Sequence, residues 1–157
     1  MTGPLKILFR HIALRKHSSD VPTEIRPLSA IRSVVVMTGA DGSQQDALDR
    51  DIRAFFAGWK VQLKILTPTP KDVNWFGRLK KTARSGDFLP EELFISLVPG
   101  PDFTSEYEAR CSRAVFKVGR TQLSGEVFDM VVMDASGEGS SQSEAFRTIA
   151  DILKKVQ

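Results

Sequence analysis

The chain has few of the groups from which metal sites, disulfide frameworks and membrane spans are built. Its 157 residues include one cysteine, Cys111, and two histidines, His11 and His17. One cysteine cannot form an internal disulfide, and a Cys/His metal site needs more ligands than these. No apolar run is long enough to cross a bilayer, and the first residues lack the apolar core of a signal peptide. We therefore expect a cytoplasmic protein without metal or cofactor.

Positive charge is concentrated at the start of the chain. The formal net charge is +3, and the first 17 residues contain no acid and carry +4, which leaves −1 for the rest. A near-neutral body does not favour binding to nucleic acid, and the basic, aromatic-containing stretch 71–84 is better explained as a solvated face. The charges of the N-terminal segment belong to Lys6, Arg10, Arg15 and Lys16.

Two regions are predicted from this division. Residues 1–27 form a basic amphipathic helix and a linker, and residues 28–157 form a single α/β domain. The helix can dock on its own domain, on a partner surface, or peripherally on an anionic membrane. A protein partner and a homo-oligomer both remain open.

The stretch Ser33–Phe56 organises the domain. Successive apolar residues at Val34–Met37 predict a strand covered on both faces, and therefore a central one. A glycine-containing loop follows, and then a helix over residues 43–57. Asp41 or Ser43 is predicted to cap that helix, and Gly58 to end it in the left-handed conformation.

Strand and helix patterns recur through the rest of the chain. They predict an α/β fold with an open, mostly parallel, doubly wound sheet of the Rossmann or flavodoxin-like kind, with helices on both faces. A polar and apolar alternation marks residues 59–65 as a strand near an edge. The link between the last two strands is short, so we expect those strands to form an antiparallel hairpin. The remaining predicted strands are 92–98, 115–119 and 127–134, and the remaining helices are 104–114 and about 142–156.

Two loops are candidates for a ligand site. One follows the first strand, and the other follows residue 134. Both would open at the carboxyl edge of the sheet if their strands are parallel. A turn that caps the next helix explains either loop equally well, because neither matches a phosphate-binding glycine motif. The candidate ligand-binding residues are Gly39, Asp41, Gly42, Ser43, Asp134 and Ser136.

Short motifs carry two resemblances. Asn74–Gly77, Phe116–Gly119 and Phe128–Met130, after a basic N-terminal helix, resemble an uncharacterised family of short Bacteroidetes proteins. That resemblance implies an α/β fold and no catalytic residue. Residues 92–119 resemble the N-terminal half of heptosyltransferase-like glycosyltransferases, which place their sugar nucleotide largely on a second domain that this chain is too short to contain.

No catalytic constellation is visible in the sequence. Cys111 falls on the apolar face of its predicted helix, and both histidines lie in the basic N-terminal segment. We therefore expect no catalytic residues, and a non-catalytic binding or interaction module as the function. The alternative is a protein that binds a nucleotide or sugar, or a degenerate glycosyltransferase-like domain, through the loops after residues 37 and 134.

Overall fold

A computed structural model describes residues 26–39, 44–69, 72, 91–99, 102–120, 127–132 and 141–156. A 3₁₀ turn at Leu28–Ala30 precedes the first strand. The strands are β1 (Ser33–Met37), β2 (Gln62–Leu66), β3 (Leu93–Ser96), β4 (Phe116–Gly119) and β5 (Met130–Val131), and the helices are α1 (Gln45–Ala57), α2 (Phe103–Cys111) and α3 (Gln142–Lys155).

The described strands form one parallel sheet in the order β2-β1-β3-β4-β5. The predicted α/β class is confirmed, and so is the central position of β1, whose five residues are all buried. The edge position of β2 is also confirmed, although the strand begins three residues later than the alternation predicted. From β1 the chain passes to β2 on one side and then returns to place β3 on the other side of β1. The strand order therefore reverses between β1 and β3.

The antiparallel hairpin predicted for the last two strands is wrong, because β4 and β5 run parallel. The side chain of Asp129 takes part in pairing the segment before β5 with β4. Its Oδ2 accepts a hydrogen bond from the Lys117 amide at 2.7 Å, while its own amide donates to the Lys117 carbonyl at 2.8 Å. A carboxylate thereby takes the place of a backbone carbonyl at the start of the β4–β5 ladder.

Helices cover both faces of the sheet. On one face, the apolar stripes of α1 and α3 pack over Val34 and Val36 of β1. On the other face, Ala109 of α2 packs in a cluster with Val35 and Met37. The apolar side of α1 is buried, since Leu48, Ile52 and Phe56 are each at most 2% exposed. Within the described ranges, none of the helices has the length and apolar character that a bilayer crossing requires.

The helix ends differ from the prediction in four places. The residue before α1 is Gln44, whose side chain makes no capping hydrogen bond, and Gly58 has a right-handed φ of −75°. Asp102 caps α2, since its carboxylate accepts from the Ser105 amide at 2.9 Å. The helix ends at Cys111, so the cysteine is half-buried at a terminus instead of lying within an apolar stripe. The predicted helix starts at residue 104, whereas α2 starts at Phe103 because the Asp102 carboxylate precedes it and binds a free amide of its first turn.

Several predictions fall outside the described residues. They are the N-terminal helix with Lys6, Arg10, Arg15 and Lys16, and the basic stretch 71–84 apart from Asp72.

Candidate ligand-binding site at the carboxyl edge of the sheet

The reversal of strand order between β1 and β3 locates the candidate site. In open parallel sheets, a crevice forms beyond the carboxyl ends of the strands at such a reversal, because the connections leave in opposite directions. Here the chain leaves β1 at Thr38 and Gly39, and leaves β3 at Leu97 to Pro99. The Leu97 amide donates to the Met37 carbonyl at 2.8 Å, so the two exits are held side by side.

Gln142, the first residue of α3, holds the exit of β1 with both ends of its side-chain amide. Its Oε1 accepts from the Gly39 amide at 2.8 Å, and its Nε2 donates to the Gly39 carbonyl at 2.9 Å. Only 5% of Gln142 is exposed. Ser141 caps the helix by accepting from the Glu144 amide at 3.1 Å, which fixes the helix end that carries Gln142. The first and last parts of the domain therefore meet at Gly39.

Hydroxyl and amide groups line the exits of β1 and β2. The hydroxyls of Thr38 and Thr67 hydrogen-bond to each other, and Thr38 is fully buried. Gln45, at the start of α1, donates from Nε2 to Asp49 at 3.0 Å and approaches the Thr38 hydroxyl at 3.4 Å. Its Oε1 is buried and accepts no hydrogen bond from the part of the chain that the structure describes.

One positive charge reaches the same edge from β4. Arg120 follows the last residue of that strand, and its Nη1 donates to the Leu97 carbonyl at 3.2 Å. The guanidinium therefore lies at the exit of β3. Among the described residues, this edge therefore carries uncharged hydrogen-bonding groups from threonines and glutamines and one cation, Arg120.

Among the ligand-binding residues predicted from sequence, Gly39 is described. The other five, Asp41, Gly42, Ser43, Asp134 and Ser136, lie outside the described residues. The two loops were expected to share an edge if their strands run parallel. This is the case, because β5 is parallel to β1. The contact between Gly39 and Gln142 brings the start of one loop to the end of the other.

Sequence reasoning missed Gln142, Gln45, Thr38, Thr67 and Arg120. A weak signal existed for the threonines and the arginine, because each follows a strand predicted to end at this edge. No signal existed for Gln142, since it lies 103 residues from Gly39. No group of three or more Cys, His, Asp or Glu side chains suited to a metal ion occurs in the described ranges.

The fold does not require a glycine at position 39. A Cβ there would lie 3.7 Å from Pro99 Cδ and 3.8 Å from Gln142 Nε2, which are ordinary van der Waals distances. A methyl group at this position would therefore displace no atom of the described structure. This position can be altered to test binding separately from stability.

A second polar feature lies under α2, away from the carboxyl edge. Lys117 of β4 is 5% exposed, and its Nζ donates to the Ala109 carbonyl at 2.7 Å. That carbonyl belongs to the last turn of α2, where the helix leaves its carbonyls without partners and favours a positive charge. The lysine thus fastens the end of the helix to the sheet.

Burial lowers the pKa of Lys117 below its ordinary value of 10.5, and the nearby Asp129 and Glu91 carboxylates oppose this shift without cancelling it. Between the lowered pKa and 10.5, the unfolded chain binds more protons at this amine than the folded chain. The free energy of unfolding is therefore expected to rise as the pH rises through this window. Below the window, Lys117 contributes no pH dependence.

Chemical denaturation from neutral to alkaline pH tests this expectation by comparing variants. In the unaltered protein, the free energy of unfolding is expected to rise with pH in this window. Lys117→Met is expected to lose this rise, while Lys60→Met, at an exposed position, keeps it. An equal rise in the protein and in Lys117→Met would contradict the assignment to this amine.

Comparison of the chain with protein-family models, with curated proteins and with solved structures gives no match.

Proposed function

We propose that this chain is a non-catalytic binding domain, and that its ligand contacts the carboxyl edge between β1 and β3. The observation that carries the proposal is the contact of Gln142 with both backbone groups of Gly39 at the reversal of strand order. A buried side-chain amide at that point gives the exit of β1 a fixed conformation before any ligand arrives. A fixed backbone lowers the entropy cost of binding.

The chemistry of the edge supports a nucleotide or a sugar as the ligand class. Thr67 and Gln45 are partly exposed and supply a hydroxyl and an amide that suit sugar hydroxyls, while the buried Thr38 hydroxyl bonds to that of Thr67. Arg120 supplies one cation for a phosphate.

A thermal-shift screen against nucleotides, nucleotide sugars and free sugars tests the proposal, because a ligand that prefers the folded state raises its melting temperature. We expect at least one of these compounds to raise it. Gly39→Ala is expected to change the free energy of unfolding by less than about 1 kcal/mol. The added methyl group is expected to weaken binding by roughly tenfold or more, since the ligand approaches this backbone closely.

Gly58→Ala is the matched control. A Cβ at Gly58 meets no atom within 4 Å, and the position lies at the opposite end of α1. This variant is expected to bind as the unaltered protein does. If no compound of these classes raises the melting temperature, or if Gly39→Ala binds as tightly as Gly58→Ala, the proposed site is wrong.

A second candidate function, an interaction module that binds another protein, is favoured by a different observation. Trp59 is the one large apolar side chain that is exposed among the described residues, and it precedes the edge strand β2.

A further inference from the structure

The ends of α1 and α3 lie together at the edge of the sheet where the strands begin. Both helices start at the carboxyl edge and run back across the same face of the sheet. The ring centres of Phe55 and Phe146 are 5.7 Å apart, and the Lys154 amine nitrogen lies 5.6 Å from the centre of the Phe55 ring. Phe55 of α1 is therefore level with the part of α3 between these two residues. The residues beyond that level, 56–60 and 151–156, form a shared end of the two helices.

Positive side chains predominate at this shared end. Its charged residues are three exposed lysines, Lys60, Lys154 and Lys155, and one acid, Asp151. None of the three lysines forms an ion pair with a described residue. The carbonyls at the end of α3 favour its two lysines, yet these exposed side chains remain accessible to a further anion.

The strand starts beside this end do not offset its charge. Arg32 precedes β1, and its carbonyl accepts from the Gln62 amide at the start of β2, two residues after Lys60. Glu92 is shared between Arg26 at 2.8 Å and Arg32 at 3.4 Å, so one carboxylate faces two guanidinium groups. The side chain of Arg32 is 81% exposed. The surface therefore stays positive from the helix ends to the start of β1.

An exposed aromatic ring stands among these charges. Trp59 is 37% exposed, and it is the one large apolar side chain exposed among the described residues. Its position is fixed by a turn, since its amide donates to the Phe56 carbonyl and its carbonyl accepts from the Val61 amide, both at 3.0 Å. A protein interface is built around a core of several apolar side chains, and the described surface offers this single ring.

The same groups suit the surface of an anionic bilayer. A tryptophan ring has an apolar body and a polar N–H, which together match the boundary between lipid headgroups and acyl chains. Lysine stems lie along apolar surface while their amines stay in water, and the Lys154 amine already lies over the Phe55 ring. Each lysine near an anionic membrane surface raises the affinity about fivefold. Charge and shape therefore favour a bilayer over a protein at this end.

We propose that this basic end, which we define as Trp59, Lys60, Lys154 and Lys155, binds the surface of an anionic lipid bilayer. Trp59 enters the headgroup region, and the three lysines contact lipid phosphates. The basic end lies at the opposite edge of the sheet from the proposed ligand site, so the two interactions are separate.

Sedimentation of the full chain with lipid vesicles tests the proposal. At a salt concentration of about 0.1 M, a surface charge acts over about 10 Å, so distant charges contribute little. We expect the chain to bind phosphatidylglycerol vesicles roughly tenfold or more tightly than phosphatidylcholine vesicles, and to be released as the salt concentration rises. A polyglutamate peptide and a single-stranded oligonucleotide represent the other anionic partners, and we expect both to bind more weakly than the anionic vesicles.

The double variant Lys154→Gln/Lys155→Gln is expected to weaken vesicle binding about 25-fold, because two fivefold contributions are lost. Arg50→Gln/Arg147→Gln is the matched control. It also removes two exposed cations from α1 and α3, but these lie at least seven residues before the basic end. Its affinity for the vesicles is expected to change by less than about threefold. Trp59→Ala is expected to weaken binding roughly tenfold, because no ring enters the headgroup region.

A further variant separates the basic end from the cations of the N-terminal segment, in which Lys6, Arg10, Arg15 and Lys16 are all replaced by glutamine. We expect this variant still to bind phosphatidylglycerol vesicles, and Lys154→Gln/Lys155→Gln to weaken that binding as before. Complete loss of vesicle binding in this variant would overturn the proposal and assign membrane contact to the N-terminal segment.

The substituted side chains of the basic end and of the control are exposed, so these variants are expected to fold. The proposal is also overturned if phosphatidylglycerol vesicles do not bind the chain, or if the lysine and arginine variants bind them equally. Full affinity of Trp59→Ala contradicts it as well, and so does tighter binding of polyglutamate or of the oligonucleotide than of the vesicles.

Discussion

Replacing Gln142 with methionine is expected to lower the free energy of unfolding by about 2–4 kcal/mol. The two side chains have similar length, and methionine suits a helix, so the change isolates the hydrogen bonds. It removes both partners of the Gly39 backbone, which Gln142 meets at 2.8 Å and 2.9 Å. Each buried backbone group left without a partner costs about 1–3 kcal/mol, so two such groups cost about 2–6 kcal/mol. The half-buried position of Gly39 places the expected loss in the lower part of this summed range.

Chemical denaturation measures this loss, with Gln44→Met as the matched control. Gln44 also lies at the start of a helix, but it is exposed and its side chain makes no capping bond. The free energy of unfolding of this control variant is expected to stay within about 0.5 kcal/mol of that of the unaltered protein. Equal effects of the two substitutions would show that the contact with Gly39 does not stabilise the domain.

Replacing Gly119 with alanine is expected to lower the free energy of unfolding by about 1–3 kcal/mol. Gly119 ends β4, and the ring of Phe128 lies directly against its backbone. A Cβ at this position would come 2.6 Å from Phe128 Cζ and closer still to two other ring atoms. Several atoms of one rigid ring are affected, so the ring itself must move and give up packing beside β5.

A double-mutant cycle assigns this cost to the ring. We expect Phe128→Leu to reduce the penalty of Gly119→Ala substantially, because the smaller side chain leaves room for the methyl group. Gly58→Ala, where a Cβ meets nothing within 4 Å, serves as the control for the general effect of the substitution. The same penalty with and without Phe128 would contradict this explanation.

Features that depend on local pattern could be predicted from the sequence. Successive apolar residues placed β1 at the centre of the sheet, and the alternation that follows Trp59 placed β2 at an edge. Both predictions rest on burial, which the side-chain order reflects directly. Helix ends were less predictable, because Asp102, Thr104 and Ser105 can all cap a helix and only the structure shows which one does.

Features that depend on contacts between distant residues could not be predicted. Link length alone pointed to an antiparallel β5, whereas β5 runs parallel to β4 and the Asp129 carboxylate bonds to the Lys117 amide. Lys117 interrupts an apolar strand, yet the sequence does not say that the end of α2 lies where its amine can donate. Gln142 is a polar residue in a polar neighbourhood until the fold brings it to Gly39.

The most direct test of the proposed ligand site is a titration of the isotope-labelled full chain with a nucleotide and with a nucleotide sugar, followed by amide resonance spectroscopy. The Gly39 backbone amide and the Gln142 side-chain amide are two probes that touch each other at the carboxyl edge. We predict that a ligand of this class shifts both signals and leaves the Gly58 amide signal, at the other end of α1, unchanged. Binding that shifts neither probe, or saturating addition of both compounds without any shift, would contradict it.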